Sequence, residues 1–165
     1  MASLYGVEVK ALKTFQGLEG DCLTGTVYYK GRKLGYWSQD SRGGPDIFEF
    51  SIKFIQEAIE KYKNSNMVKP MDILYVNEEV FMSALVQLTL DEKEYKKFVK
   101  KGYNSVVMVT DGYHNWYIST PSKATSKIAV MQSCQDFINN CKAQCFKNVE
   151  PEVKVFLSFN DFVIE

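Results

Sequence analysis

The sequence DSRGGPD at residues 40–46 combines residue types that bind anions. Gly43 and Gly44 permit backbone conformations in which successive N–H groups point to one side and form a nest for an anion. Arg42 adds a positive charge beside them and is one of only two arginines in the chain. The same residues also suit a plain turn, because Gly, Pro and Asp are common where a strand gives way to a helix. The segment therefore predicts either a small-ligand or nucleotide site at residues 42–44 or a structural corner.

His114 is the only histidine, so any Ser–His or Cys–His catalytic pair must include it. Such a pair needs a nucleophile within reach and a third group that orients the imidazole, and the sequence identifies neither. Phosphate-binding loops, glycine-rich dinucleotide motifs and the GxSxG motif of serine hydrolases do not occur in the chain. We therefore expect a protein without catalytic residues and without a cofactor.

The four cysteines do not have the spacing of a metal site. No two of them form a CxxC pair, and the last three share a helical spacing with apolar residues between 128 and 138. This pattern is typical of reduced thiols packed in the core of a cytosolic protein. The residues are Cys22, Cys134, Cys141 and Cys145.

A run of lysines lies between residues 93 and 101. Its members are Lys93, Lys96, Lys97, Lys100 and Lys101. The run predicts either a nucleic-acid-binding surface or the solvated side of a short helix whose other side carries Tyr95, Phe98 and Val99. The absence of arginine from the run removes the forked donor that recognises phosphates and bases most specifically.

Composition predicts a compact protein without a dominant charge. The chain has 165 residues, 45% of them apolar and 14% aromatic, and its 20 basic residues balance its 20 acidic ones. This balance favours neither a protein that binds mainly phosphates nor an acidic mimic of nucleic acid. The sequence MASLYGVEVK lacks the features of a secretory signal, and no apolar run approaches the ~20 residues that span a bilayer. We expect a cytoplasmic protein that does not bind membranes.

Hydrophobic periodicity predicts a single α+β domain over residues 1–165. Alternation predicts three strands, over residues 5–15, 23–30 and 34–39, that form an N-terminal antiparallel β-meander with a tight turn at Gly31. Three to four helices should pack against it: residues 54–62, one opening at Pro70 or Asp72, one beginning with the capping box TLDE at 89–92, and one over 128–145. An additional β-hairpin with Asp111 and Gly112 at its turn and a C-terminal strand at 153–159 complete the prediction.

The first 45 residues resemble the opening of small uncharacterised proteins encoded by bacteriophages and other mobile elements. The resemblance rests on FxGxxG, YxxGxK and DxxGG patterns, whose glycines here are Gly17, Gly20, Gly31, Gly43 and Gly44. Proteins of this kind often inhibit host defence, as anti-CRISPR proteins do. The resemblance implies a bacterial host cell as the setting and specifies no biochemical activity.

We therefore expect a non-enzymatic protein that inhibits a host defence protein by direct contact, and nucleic-acid binding is the alternative. Aromatic residues on strands, including Tyr36 and Tyr117, are suitable interface anchors. The predicted partner-binding residues are Trp37, Asp40, Arg42, Gly43, Gly44, Tyr113, His114 and Trp116. The apolar C-terminal sequence FNDFVIE further predicts an edge strand that pairs in a homodimer.

Overall fold

The computed structural model describes residues 1–40, 42–112, 114–120, 126–145 and 150–165, and the fold is α+β, as predicted. Its strands are β1 (Ser3–Leu4), β2 (Val7–Gln16), β3 (Asp21–Tyr29), β4 (Arg32–Gln39), β5 (Ile47–Phe48), β6 (Ser105–Thr110), β7 (Asn115–Thr120), β8 (Glu152–Phe156) and β9 (Val163–Ile164). Its α-helices are α1 (Gln56–Lys63), α2 (Glu78–Lys100), α3 (Lys127–Ser133) and α4 (Gln135–Gln144). Short 3-10 turns occur at Ile52–Phe54, Ile73–Tyr75 and Phe159–Phe162.

The described residues group into two compact units. The first contains residues 1–91 and 162–165, and the second contains residues 92–161. Each unit has a sheet and a hydrophobic core of its own.

The sheet of the first unit has the order β5-β4-β3-β2-β1-β9. Antiparallel pairing of β2, β3 and β4 confirms the predicted meander. The turn between β3 and β4 consists of Lys30 and Gly31, which have φ values of 49° and 80°. Positive φ at both positions is the requirement of a type I′ hairpin turn, so glycine suits the second position without steric cost.

One side of this sheet forms the core of the first unit. Val9, Val27 and Trp37 alternate with exposed or half-buried neighbours along their strands and are almost fully buried. Ile59 of α1 and Phe81 of α2 belong to the same cluster. The alternating strands and the helical stripe therefore bury their apolar sides against one another.

The predicted second and third helices form a single helix, α2. Asn77 begins it, because its side-chain oxygen accepts the N–H of Val80 at 2.9 Å, which is N-cap geometry. Thr89 does not cap a new helix, as its hydroxyl donates to the carbonyl of Leu85 at 2.8 Å inside α2. No helix in the described part of the chain has the length and apolar character needed to cross a membrane.

The second unit contains a three-stranded antiparallel sheet of order β7-β6-β8, which includes the predicted hairpin. The single predicted helix over residues 128–145 is divided at Cys134 into α3 and α4. The side chain of Ser126 caps α3 by accepting the N–H of Ala129. Ile138 and Cys141 pack with Val107 and Val109 of β6 in the core of this unit.

The C-terminal segment pairs within its own chain. Val163 and Ile164 form β9, which runs parallel to β1, and Phe162 is fully buried. β9 is the last strand in the sheet order, so the segment forms an edge strand, and the core of the first unit takes up the Ile164 side chain. Pairing of this edge in a homodimer stays a prediction.

Asp161 fixes the end of β8 in the second unit. Its carboxylate accepts the N–H groups of Leu157 at 2.7 Å and Ser158 at 3.0 Å, and it pairs with Lys127 of α3 at 2.6 Å. Burial raises the pKa of this carboxyl, but the hydrogen bond and charge of Lys127 together with the two N–H donors leave the pKa below its ordinary value. The ionised form is therefore the one that stabilises the fold.

We predict that Asp161→Ala lowers the free energy of unfolding by about 1–3 kcal/mol at neutral pH, because two backbone N–H groups and Lys127 lose a charged acceptor. Since the pKa is depressed, this stabilisation is complete above the unfolded-state pKa and is lost as the pH falls through the folded-state pKa. Denaturant unfolding should thus show wild type and variant converging in acid. Asp21→Ala, at an exposed position, should change stability by less than ~0.5 kcal/mol. Equal effects of the two substitutions would contradict the role of Asp161.

Candidate functional site

Trp37 lies in the core and is not an exposed interface anchor, which corrects one predicted partner-binding residue. Its side chain is 1% exposed and packs in the cluster formed by the first sheet, α1 and α2. The indole N–H donates to Oδ2 of Asp46 at 2.7 Å. Trp37 therefore has a structural role at the point where β4 leads into the segment 40–46.

Asp46 is the centre of this corner. Its other carboxylate oxygen accepts from the side chain of Gln39 at 3.2 Å, and its backbone N–H donates to the carboxylate of Glu79 at 3.1 Å. Burial raises the pKa of Asp46, and the charge of Glu79 adds to this effect, whereas the hydrogen bonds from Trp37 and Gln39 lower it in part. The corner thus joins β4 to the first turn of α2.

The glycine loop of this corner already contains a carboxylate. Oδ1 of Asp40 accepts the N–H of Arg42 at 2.9 Å, and both carboxylate oxygens lie 3.7 Å from the position that a Cβ on Gly44 would occupy. Gly43 has a φ of +69°, which favours glycine there. A negative charge inside the loop opposes a second anion, so the geometry favours the structural corner over the anion site.

Asp40, Arg42, Gly43 and Gly44 are all exposed. Arg42 forms no ion pair with any residue that the structure describes. Their role in partner binding stays a prediction.

His114 and Trp116 lie together beside the hairpin turn of the second unit, with ring centres 5.5 Å apart. The Nδ1 atom of His114 is 3.3 Å from Oδ2 of Asp111, whose side chain is buried, while the imidazole is exposed. The backbone N–H of His114 also donates to Asp111 at 2.7 Å. Asp111 therefore orients the imidazole. Tyr113, another predicted partner-binding residue, lies outside the described residues.

The cysteines are free thiols, and three of the four are buried. Burial raises the pKa of Cys141 and of Cys145, so neither is an activated thiolate. Within the described ranges, no group of three His, Cys, Asp or Glu side chains is placed to hold a metal ion.

The five lysines of the predicted nucleic-acid-binding run extend from α2 to Lys101, and two of them have defined acidic partners. Lys96 pairs at 3.0 Å with Glu92, whose side chain is 2% exposed, and Lys97 pairs with Glu94. Lys93, Lys100 and Lys101 are exposed. The surface is therefore basic, but a phosphate would compete with carboxylates of the protein for part of it.

The first unit has an apolar groove that the sequence patterns did not predict. It has a volume of about 440 Å³, and its apolar lining comes from the end of α1, the α1–α2 connection and the start of α2. These lining residues are Tyr62, Met67, Val68, Tyr75, Val76 and Val80, with Lys69 and Asp72 as polar members.

Large apolar side chains project from the same segment into solvent. Met71 and Leu74 are each 87% exposed, and Tyr75 is 74% exposed. The helix predicted to open at Pro70 or Asp72 begins later: residues Ile73–Tyr75 form a 3-10 turn, and α2 begins only after Asn77. The sequence signal for the correct start was the pairing of an Asn N-cap with Glu78 and Glu79 in the first helical turn.

No protein family, curated protein or solved structure shows significant similarity to this chain.

We predict that Trp37→Phe lowers the free energy of unfolding by about 2–4 kcal/mol, because it leaves a cavity and removes a donor from the half-buried carboxylate of Asp46. Tyr36→Phe is a matched control, since Tyr36 is the next residue along β4 and is exposed; it should change stability by less than ~0.5 kcal/mol. Denaturant titration followed by circular dichroism measures both values. Similar effects of the two substitutions would show that the corner does not depend on the indole.

Proposed function

We propose that this chain is a non-enzymatic binding protein of a bacteriophage or mobile element that inhibits a host defence protein by covering part of its surface, as anti-CRISPR proteins do. The observation that carries the proposal is the exposed apolar surface of the α1–α2 connection. The resemblance of the first 45 residues supports the setting in a bacterial host.

The chemistry of this surface suits a protein partner. Met and Tyr are enriched at protein interfaces, and the flexible side chains of Met67 and Met71 adapt to the shape of an opposing surface. Apolar residues normally occur singly on protein surfaces, so a groove with projecting neighbours indicates a contact site. Lys69 and Asp72 provide the polar groups that fix the orientation of a partner.

Burial of the exposed side chains of this surface would contribute favourably to binding. Full burial of a Leu or Met side chain contributes about 1.5–3 kcal/mol, which corresponds to at least about tenfold in affinity for each residue. Met71 and Leu74 are almost completely exposed in the isolated chain. A partner that covers both of them therefore gains most of this energy.

We predict that Met71→Glu combined with Leu74→Glu abolishes inhibition of host defence and leaves the fold intact. The reason is that a partner would have to bury two carboxylates, whereas the free chain exposes both positions. Phage plating efficiency on bacteria with and without individual defence systems measures inhibition, and the melting temperature reports the fold.

Leu18→Glu is the matched control, because Leu18 is 84% exposed and lies outside the groove. It should inhibit as well as the wild type does. The proposal fails if the wild type protects phage from none of the systems, or if the double variant protects as well as Leu18→Glu does.

Nucleic-acid binding through the lysine run stays an alternative, favoured by the exposure of Lys93, Lys100 and Lys101. Its test is Lys97→Glu with Lys100→Glu, because a change at Lys96 would place a second carboxylate beside buried Glu92. The alternative predicts that the wild type binds single-stranded DNA or RNA and that this binding weakens as the salt concentration rises. The variant should bind more weakly than the wild type at each salt concentration. Lys142→Glu, also exposed, should bind as the wild type does. Absence of binding at low salt would rule the alternative out.

A further inference from the structure

A second cavity lies at the turn of the β3–β4 hairpin. Its volume is about 220 Å³, and it is lined by Tyr29, Arg32, Lys33, Leu34 and Phe54. Two cationic side chains and two aromatic rings thus meet at one small cavity. This combination is separate from the groove between α1 and α2, with which it shares no lining residue.

The backbone is irregular next to these two consecutive cations. In a regular strand, successive side chains point to opposite sides of the sheet. Here the register of β3 and β4 shifts, since Val27 pairs with Gly35 and Tyr28 with Lys33, which leaves Leu34 without an opposite residue. This irregularity is a β-bulge, a feature that redirects neighbouring side chains.

Phe54 comes from the 3-10 turn Ile52–Phe54. Its side chain is 58% exposed although it is large and apolar. Tyr29 contributes its ring to the cavity, while its hydroxyl donates to Glu57 at 3.0 Å. The cavity therefore offers a solvent-accessible aromatic surface next to its cations.

The charge around the cavity is positive. Arg32 is exposed and forms no ion pair with the residues that the structure describes. Lys33 donates to the hydroxyl of Tyr36 at 3.2 Å, a neutral partner that leaves its charge uncompensated. Glu57, the carboxylate on this side, already interacts with Tyr29, Lys30 and Lys61.

We propose that this cavity binds a nucleoside phosphate, with Arg32 and Lys33 on the phosphate and Phe54 against the base. The guanidinium fork matches phosphate oxygens, and aromatic side chains stack on bases of any sequence. The volume is below the ~300–1,000 Å³ of pockets that enclose drug-sized ligands, so the cavity covers part of one nucleotide and leaves the rest in solvent. That nucleotide is either a free mononucleotide or the terminal nucleotide of a single strand.

This cavity is independent of the proposed protein contact at the α1–α2 connection. It also differs in position from the small-ligand site that the sequence predicted at residues 42–44. The arginine that binds phosphate is Arg32, in a cavity with aromatic walls, and not Arg42, whose loop contains the carboxylate of Asp40. The two arginines therefore form a matched pair for experiment.

Isothermal titration of the full chain with AMP, UMP, adenosine and inorganic phosphate tests the proposal. We expect both mononucleotides to bind more tightly than adenosine or phosphate alone, because only they engage the cations and the ring together. Arg32→Gln should weaken nucleotide binding about tenfold or more, as expected for the loss of charge-assisted hydrogen bonds. Phe54→Ala should weaken it independently, whereas Arg42→Gln should bind as the wild type does.

NMR titration with AMP locates the site, with the largest shifts expected at Arg32, Lys33 and Phe54. Short single-stranded oligonucleotides with and without a 5′-phosphate then distinguish the two sources of the nucleotide. If an oligonucleotide binds more tightly than AMP and needs its 5′-phosphate to do so, the ligand is the end of a strand. If no oligonucleotide binds more tightly than AMP, the ligand is a free mononucleotide. The proposal is overturned if no mononucleotide binds at millimolar concentration, if adenosine binds as tightly as AMP, or if Arg42→Gln and Arg32→Gln weaken binding equally. A failure here leaves plating efficiency unaffected and is thus distinguishable from a failure of the protein-contact proposal.

Discussion

The hydrogen bond from the indole of Trp37 to Asp46 is the constraint on which the apolar groove of the first unit depends. Trp37 is anchored in the core by its ring, and Asp46 is anchored to the first turn of α2 through Glu79. The end of β4 and the start of α2 are therefore connected through two hydrogen bonds. One joins the side chains of Trp37 and Asp46, and the other joins the backbone N–H of Asp46 to Glu79. Val76, just before α2, and Val80, in its first turn, line the apolar groove. The corner and the groove are thus parts of one arrangement.

The segment at residues 40–46 and the β3–β4 turn both contain arginine and glycine, but they differ in how their charged groups are paired. The two carboxylates of the corner have partners within the protein: Asp40 accepts the amide of Arg42, and Trp37 and Gln39 donate to Asp46. The β3–β4 turn instead directs Arg32 and Lys33 into a cavity that has an exposed aromatic wall. An uncompensated cation beside an open ring is suited to bind a ligand, whereas an internally satisfied loop is suited to hold a fold together.

Local patterns were sufficient to predict the longer strands and the hairpin turns, because alternation and the positive φ of Gly31 and Gly112 are properties of neighbouring residues. The two-residue strands β1 and β5 were not predicted. They were not sufficient for α2, where the capping box at residue 89 competes with a continuous helix that buries Leu85 and Glu92. Tertiary packing decides that competition in favour of one long helix. The exposure of Leu74 and the burial of Trp37 likewise depend on which elements pack together, which the sequence around either residue does not specify. Alternation alone likewise does not reveal that the consecutive residues Arg32 and Lys33 line one cavity.

The central claim is that the exposed segment between α1 and α2 contacts a host protein. The most direct measurement is photo-crosslinking in phage-infected bacteria with a benzophenone amino acid at position 74, compared with the same residue at position 18. Both positions carry exposed leucines in the same unit, so they differ in location and not in accessibility. The account predicts one discrete crosslinked protein from position 74, identified by mass spectrometry as a component of a defence system, and none from position 18. The same crosslinks from both positions, or none from position 74, would contradict it.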